Sequence, residues 1–224
     1  MTERARGLLL DIGGVVLRHG MEMVGLLVQQ LPELAPVVDR VGGFASPRDE
    51  LWAQIESGEV TERHYWSVRA CELGAAVGET WDTKAMIHRM YDLPSDQWLR
   101  PEVLDLMSQV RTAGVPLGAL TNDLADFHGD DWVARQDWLR VFDVVVDASK
   151  TGIYKPDPRA YVAGAAALGL PPKEIVYLDD MAPNVVGGKL AGLQTVAVDY
   201  HHPELAVQQA RHLLGLTEPA ARPA

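Results

Sequence analysis

Four groups of polar residues, widely separated in the chain, carry the functional groups that phosphoryl chemistry needs. They are an aspartate, a threonine–asparagine pair, a lysine and an aspartate pair: Asp11, Thr121-Asn122, Lys155 and Asp179-Asp180. Carboxylates without a histidine or cysteine ligand set suit an oxygen-preferring cation such as Mg²⁺, and a carboxylate can act as a nucleophile that becomes phosphorylated. A hydroxyl, an amide and an ammonium group can bind and neutralise the phosphoryl oxygens. The residue types therefore indicate metal-assisted chemistry on a phosphoryl group.

The positions of these groups in the chain favour their convergence. Asp11 follows the apolar run Leu8-Leu9-Leu10, and the other groups lie at the ends of further apolar runs or in the loops after them. An unbroken apolar run is typical of a strand buried on both faces, and ligands bind beyond the carboxyl ends of parallel strands. Each group alone also has a purely structural interpretation, as a helix cap or a strand-to-loop hydrogen bond. Their joint occurrence favours a site.

Strands and helices alternate over most of the chain, which predicts the α/β fold class with a Rossmann-like parallel sheet. The predicted strands are residues 8–10, 115–120, 141–146, 175–178 and 195–198. The predicted helices between them are residues 101–113, 158–168 and 184–191. Polar loops are predicted around residues 128–131 and over residues 150–157.

One long segment interrupts this alternation. From residue 21 to about residue 93, apolar residues recur at helical spacing and no strand is predicted. Ser46-Pro47 is predicted to open one helix, with the proline at its first position, and another helix is predicted over 61–71. We therefore expect a core formed by residues 7–18 and 93–216, an all-helical cap over 19–92 and a frayed tail over 217–224.

Composition narrows the class of partner. The 224 residues suffice for one sizeable domain with a smaller insert, and the net charge of −11 argues against a nucleic-acid or anionic-membrane partner. Cys71 is the only cysteine, which excludes an intrachain disulfide. The N-terminal apolar run is too short for a secretory signal, and no run has the length of a membrane span. We expect a cytoplasmic monomer or homodimer that acts on a small molecule.

The four motifs together resemble those of the haloacid dehalogenase (HAD) superfamily. In chain order they are Leu9-Leu10-Asp11-Ile12-Gly13-Gly14-Val15, Leu120-Thr121-Asn122, Lys155-Pro156-Asp157-Pro158 and Tyr177-Leu178-Asp179-Asp180. They occur in the family's order over nearly the whole chain, and the helical segment matches the family's helical cap. Within the family, the chain resembles the phosphatase domain of soluble epoxide hydrolase and bacterial sugar-phosphate phosphatases. Phospho-accepting receiver domains have a similar set of residues, but their acidic pair comes first and no such insert interrupts them.

The resemblance implies a catalytic role for four residues in the hydrolysis of a small phosphorylated metabolite. It implies that Asp11 is the nucleophile and that Lys155 neutralises the nucleophile and the phosphate. It also implies that Thr121 and Asn122 bind the phosphoryl oxygens.

A magnesium site follows from the same resemblance. Asp11 and the backbone carbonyl of Gly13 are implied as ligands. Asp180 is implied to complete the site, with Asp179 as its neighbour or as a ligand through water.

Gly13 also marks a departure from the family, whose phosphatases usually carry an aspartate there that protonates the leaving alkoxide and then activates water. Such acid–base help is worth roughly a hundred- to ten-thousand-fold in rate. Three explanations stay open: a good leaving group such as an anomeric or acyl phosphate, a substitute side chain such as His19 or one from the cap, or a non-catalytic domain that binds a phosphometabolite or partner. The metal-independent dehalogenases of the family also lack this aspartate, but Asp179-Asp180 resembles the metal-binding form of the last motif.

Some further residues are candidates for substrate contacts in the expected cap. They are Arg48, His64, Tyr65 and Trp66. Packing against a helix face or exposure to solvent is the simpler interpretation of each, so we leave them out of the predicted site. His201-His202 follows the fifth predicted strand, and because no further ligand residues pair with it in the sequence, it is interpreted as part of a surface loop.

Overall fold

The computed structural model describes residues 4–216, so the tail predicted over 217–224 lies outside the described residues. Its centre is a five-stranded sheet in the order β3-β2-β1-β4-β5. The strands are β1 Gly7–Leu10, β2 Leu117–Thr121, β3 Val144–Asp147, β4 Ile175–Asp179 and β5 Gln194–Ala197. All neighbouring strands are parallel, and Leu10 pairs with both Ala119 and Leu178. The predicted α/β class with a parallel sheet is confirmed.

Between β1 and β2 the chain forms a purely helical segment, which we name the helical insert (residues 20–90). Its helices are α1 Gly20–Gln30, α2 Ala35–Arg40, α3 Glu50–Glu56, α4 Glu62–Ala76 and α5 Thr83–Met90. This stretch is described throughout and contains no strand. The helix predicted over 61–71 is α4, and it begins one residue later because Thr61 is its N-cap and accepts from the backbone N–H of His64.

The prediction that Ser46-Pro47 opens a helix was wrong. Helix α3 begins at Glu50, and Asp49 is its N-cap, accepting from the backbone N–H groups of Leu51 and Trp52. Asp and Ser are both good N-caps, so the local sequence did not decide between them. Asp49 prevails because its carboxylate is fully buried, where it also pairs with Arg69 of α4.

The remaining helices flank the sheet. They are α6 Pro101–Thr112, α7 Leu124–His128, α8 Asp130–Ala134, α9 Ala148–Thr151, α10 Pro158–Leu168, α11 Ala182–Leu190 and α12 Pro203–Leu214. The loop predicted around 128–131 was wrong, because α7 and α8 occupy it and meet at Gly129 with a φ of 84°. Helix α12 was not predicted, and α9 occupies the start of the loop expected over 150–157.

Strand β1 is buried on both faces of the sheet, as its apolar run predicts. Leu8 and Leu10 belong to a large apolar cluster that also includes Trp52 and Tyr65 of the helical insert. Leu9 faces the other side and packs in a smaller cluster with Tyr177. The insert and one face of the sheet therefore share a single core. Among the described residues, every helix is too short or too polar to cross a lipid bilayer.

Candidate active site

The carboxyl edge of the sheet brings the lysine and the aspartates together. Asp11 follows β1 directly, Asp179 ends β4, and Lys155 lies in the loop before α10. The Lys155 Nζ lies 3.0 Å from Asp11 Oδ1 and 2.7 Å from Asp179 Oδ2. Asp11, Asp179 and Asp180 each offer an oxygen within 4.8 Å of the others. Residues that are 168 positions apart in the chain, Asp11 and Asp179, thus face one ammonium group.

A tight turn, Ile12–Val16, fixes the orientation of Asp11. The backbone N–H of Asp11 donates to the carbonyl of Leu178 at 2.9 Å, and its Oδ1 accepts from the N–H of Ile12 at 2.7 Å. The turn needs a glycine at position 14, where φ is 69° and a Cβ atom would lie 1.9 Å from Asp180 Oδ2. The close approach of Asp180 to this backbone places its carboxylate beside Asp11.

Asp179 and its neighbour Asp180 have different environments. Asp179 is fully buried, and its carboxylate accepts hydrogen bonds from Lys155, the Tyr177 hydroxyl, the backbone N–H of Met181 at 2.9 Å and the side-chain amide of Asn184 at 3.1 Å. Most of its acceptor capacity is used within the protein. Asp180 instead faces the turn after β1, with the Nε2 of His19 3.7 Å from its Oδ2.

Thr121, the last residue of β2, and Asn122, which follows it, have distinct environments. Thr121 is buried and lines the cavity above Asp11. The side chain of Asn122 is engaged by the lysine loop: its Oδ1 accepts from the backbone N–H of Lys155 at 2.8 Å, and its Nδ2 donates to the carbonyl of Lys155 at 3.1 Å. Asn122 therefore fixes the loop that carries Lys155.

The electrostatics of this cluster favour a bound cation. Asp11 and Asp179 contact a single ammonium group, and the carboxylate of Asp180 lies beside them. Burial raises the pKa of Asp11 to about 8, with Asp179 adding to the shift, while Lys155 opposes it. Burial raises the pKa of Asp180 well above its usual range, and the charges of Asp179 and Asp11 add to the shift. Burial opposes the charge of Lys155, but Asp11 and Asp179 outweigh it and raise its pKa. The donors are all oxygens, which fits Mg²⁺ rather than a softer metal.

A cavity of about 110 Å³ lies above the cluster, between the sheet edge and the helical insert. Insert residues that line it include Met23, Trp52, Glu62, Trp66, Ile87 and Met90. A larger groove of about 610 Å³ adjoins it, bordered by the start of α4 and the loop with Tyr154. Glu62, Asn122, Asp123 and Lys155 line both spaces. The cavity and the groove thus meet at the lysine.

Of the four candidate substrate contacts in the expected cap, only Trp66 lines the cavity. Arg48 and His64 are exposed, and Tyr65 is buried with its hydroxyl donating to Asp49 at 2.7 Å. Trp66 does line the cavity. His19 caps α1, its Nδ1 accepting from the N–H of Met21 at 3.1 Å, so the ring proton lies on Nε2, which faces Asp180.

Two residues at the site were missed from the sequence. Glu62 is the first residue of α4, where an acidic residue is common in any helix, so its type carries no functional signal. Arg63 contacts Asp123 and lies 2.6 Å from Asp126, thereby joining α4 to α7. A charged residue in a helix is usually interpreted as part of a solvent-exposed face. Only the fold shows that Arg63 contacts Asp123 and Asp126.

Comparison with known proteins places this geometry among hydrolases. The profile of the haloacid dehalogenase-like hydrolase family matches residues 5–192. Acyl-CoA dehydrogenase family member 10 of Mus musculus is 30% identical over 216 residues, which cover 94% of this chain and 19% of the mouse protein. Glyceraldehyde 3-phosphate phosphatase of Methanopyrus kandleri is 28% identical over 163 residues, 67% of this chain and 66% of that protein. This chain thus covers only a part of either relative.

Two further similarities bear on the fold and the reaction. (S)-2-haloacid dehalogenase 4A of Burkholderia cepacia is 24% identical over 209 residues, 87% of this chain and 80% of the dehalogenase. The magnesium-bound structure of the putative HAD-hydrolase YfnB from Bacillus subtilis matches with a TM-score of 0.65 at 18% identity, covering 96% of this chain and 100% of YfnB. The similarity to YfnB establishes the fold, and phosphatases and a dehalogenase both occur among the relatives.

Proposed function

The chain belongs to the haloacid dehalogenase-like hydrolase family, and we propose that it hydrolyses small phosphomonoesters with Mg²⁺, through an aspartyl-phosphate on Asp11. The observation that carries this proposal is the bridge of Lys155 between Asp11 and Asp179, with Asp180 alongside. A buried cluster with more carboxylates than cations is suited to a divalent metal, whose charge together with Lys155 would offset that of a bound phosphate. Hydrolysis of a carbon–halogen bond requires neither a divalent metal nor a phosphate group.

Each residue of the edge has a task in the proposed reaction. Asp11 Oδ1 accepts from Ile12 and contacts Lys155, which leaves Oδ2 for attack on phosphorus. The Thr121 hydroxyl and the backbone N–H of Asn122 bind phosphoryl oxygens. The backbone of Asn122 takes this role rather than its side chain, because the side chain already binds the Lys155 loop. The ammonium of Lys155 neutralises charge that builds up on the phosphoryl group.

The residues that would hold Mg²⁺ are Asp11, Asp180 and the backbone carbonyl of Gly13. Asp179 is committed to Lys155 and its other donors, and its role is that of a neighbour or of a ligand through water. When bound, Mg²⁺ supplies positive charge that stabilises the phosphoryl oxygens and keeps the acidic cluster ionised.

The helical insert is proposed as the cap expected over residues 19–92. Its side chains enclose the cavity over Asp11, and the cavity of about 110 Å³ has room for a phosphoryl group rather than a bulky substrate. Closure of such a lid excludes water from the reacting groups. A small phosphorylated metabolite is therefore the proposed substrate class, with its leaving group directed towards the adjoining groove.

Dehalogenation is a second candidate, supported by the similarity to the Burkholderia cepacia dehalogenase over 87% of this chain. Gly13 is compatible with it, since Gly13 has no side chain that could act as an acid. The pairing of Asp179 with Asp180 favours the metal-dependent alternative. A non-catalytic protein that binds a phosphometabolite or partner is the third.

Phosphate release from a panel of phosphomonoesters, including sugar 1-phosphates and acyl phosphates, tests the proposal. The panel is run with Mg²⁺ and with EDTA, beside 2-haloacids assayed for halide. We expect phosphate release that requires Mg²⁺ and is lost in Asp11→Asn. Halide release in EDTA would establish dehalogenation instead. Neither product from folded protein would favour the non-catalytic alternative.

A further inference from the structure

The proposed reaction lacks an acid for the leaving group. Gly13 occupies the position where the family's phosphatases usually carry an aspartate, and a Cβ atom built on it would have no neighbour within 4 Å. The space for an acid therefore exists at this turn, but no side chain fills it. An alkoxide leaves a phosphate ester slowly unless it is protonated as the bond breaks. A proton donor must reach the same cavity from another element.

Glu62 reaches this cavity from the helical insert. It is the first residue of α4 and lines the cavity together with Asp11 and Lys155. It also lines the adjoining groove. Glu62 therefore lies where a phosphoryl group bound at Asp11 would meet a leaving group directed into the groove.

The orientation of the Glu62 carboxyl is fixed by its own helix. Trp66 Nε1 donates to Glu62 Oε1 at 3.0 Å, one turn further along α4. The Trp66 ring is itself held against Gly20, where a Cβ atom would lie 2.4 Å from the ring. Among the described residues, Oε2 of Glu62 has no hydrogen-bond partner. One oxygen is anchored and the other is available to a substrate.

The other titratable groups of the cavity are less suited to donate a proton. Asp123 is paired with Arg63. His19 uses Nδ1 to cap α1 and turns Nε2 towards Asp180. His128 stacks on Trp132 with ring centroids 4.0 Å apart, and burial lowers its pKa to about 3. Apart from Asp11 and Asp180, which are assigned to the nucleophile and the metal, Glu62 is the carboxyl of the cavity that has neither a cationic partner nor a capping task.

We propose that Glu62 is the general acid and base of the reaction, a role that rests on the phosphatase function proposed above. In the first step Asp11 Oδ2 bonds to phosphorus, the bond from phosphorus to the leaving oxygen breaks, and the Glu62 proton passes to that oxygen. In the second step a water molecule attacks phosphorus through its oxygen, and the Glu62 carboxylate takes a proton from that water. The bond from phosphorus to Asp11 then breaks, which releases phosphate and restores both carboxyl groups.

The surroundings of Glu62 agree with this role. Burial raises the pKa of Glu62; the Trp66 hydrogen bond and Lys155 oppose the rise, and Asp123 and Asp179 add to it. The protonated form that a general acid needs is thereby less disfavoured than in an exposed glutamate. Because α4 belongs to the helical insert, the acid is in place only when the insert covers the sheet edge.

The test uses a series of substituted phenyl phosphates that differ in the acidity of the leaving phenol. Proton donation matters most for the most basic leaving groups. We expect kcat/KM of Glu62→Gln to fall by roughly a hundredfold or more for the least acidic phenols and by little for the most acidic. The dependence of log kcat/KM on phenol pKa then becomes steeper than in the wild type. Glu62→Asp, which retains an acid, should keep the shallow dependence at a lower rate.

The control is Glu79→Gln. Glu79 also accepts from a tryptophan, Trp81 Nε1, at 2.7 Å, but it is exposed and away from the cavity. The Glu79→Gln variant should have the same kcat/KM as the wild type for every phenyl phosphate of the series. An equal fall for all phenyl phosphates in Glu62→Gln, or no fall, would overturn the role of Glu62 while the phosphatase function stands. Absence of phosphate release from wild-type protein would instead reject the proposed function.

Discussion

Two adjacent glycines in the turn after β1 are under opposite constraints. Gly14 has a φ of 69° and lies against Asp180, so any side chain would displace a carboxylate of the site. Gly13 has a φ of −63° and open space around it. The sequence alone shows only a glycine pair, because the difference depends on a residue from the far end of β4. Gly14 is required by the geometry, whereas Gly13 is not.

Alanine at each position tests this distinction. Gly13→Ala should raise the free energy of unfolding by about 0.4–1 kcal/mol, because its backbone conformation suits alanine, and should leave turnover near that of the wild type. Gly14→Ala should destabilise the protein and lower turnover by roughly a hundredfold, since it displaces Asp180. Chemical denaturation and Mg²⁺-dependent phosphate release measure both effects. Equal behaviour of the two variants would contradict the assigned geometry.

Residue types at strand ends were sufficient to identify most of the candidate site. Lys155 contacts Asp11 and Asp179 because parallel strands end at one edge, while the catalytic roles of these residues stay predictions. The side chain of Asn122 binds the lysine loop, which its position after Thr121 did not indicate. Glu62 could not be found from the sequence, because its significance depends on how the helical insert packs over the sheet.

A buried arginine joins the helical insert to the core. Arg100 precedes α6 and is 2% exposed. Its guanidinium contacts Glu22 of α1, and its Nε donates to the carbonyl of Gly14 at 3.3 Å. One side chain therefore ties together α1, α6 and the turn that carries the site. Periodicity identified α6 but gave no indication of this contact, since arginines are mostly exposed.

Arg100→Met should lower the free energy of unfolding by about 1–3 kcal/mol, because it removes the buried partner of Glu22 and the donor to the Gly14 carbonyl, while Arg18 still contacts Glu22 at 3.0 Å. The matched control is Arg111→Met, which removes a surface pair with Asp143 in which both side chains are more than two-fifths exposed and should cost about 1 kcal/mol or less. Urea denaturation of both variants gives the comparison. If Arg100→Met lowers the free energy of unfolding by no more than the control does, the contact between Arg100 and Glu22 does not stabilise the packing of α1 against α6.

Across the whole molecule, hydrophobic patterning predicted the architecture better than the element ends. The parallel sheet and the strand-free segment between β1 and β2 follow from apolar runs and their spacing. The start of α3 was misplaced because Ser46 and Asp49 are both competent caps and burial chose Asp49. Helices α7 and α8 were missed because His128-Gly129-Asp130-Asp131 reads as a polar loop, whereas His128 packs inside the protein.

The shared core of the sheet and the helical insert makes the candidate site a property of the whole chain. Asp11 lies on the sheet, and Glu62 and Trp66 reach the cavity from the insert. The two groups of residues meet only because a single apolar cluster holds both parts together. The proposed phosphatase reaction requires a covalent intermediate on Asp11, which a non-catalytic binding protein would not form.

The most direct measurement is chemical trapping of that intermediate. The full chain is mixed with an acyl phosphate and Mg²⁺, quenched rapidly in acid and treated with borohydride, which converts an aspartyl-phosphate to homoserine, before peptide mass mapping. We expect homoserine at position 11 in wild-type protein and no conversion in Asp11→Asn. Phosphate release without conversion at position 11, or with conversion at another residue, would contradict the assignment of Asp11 as the nucleophile.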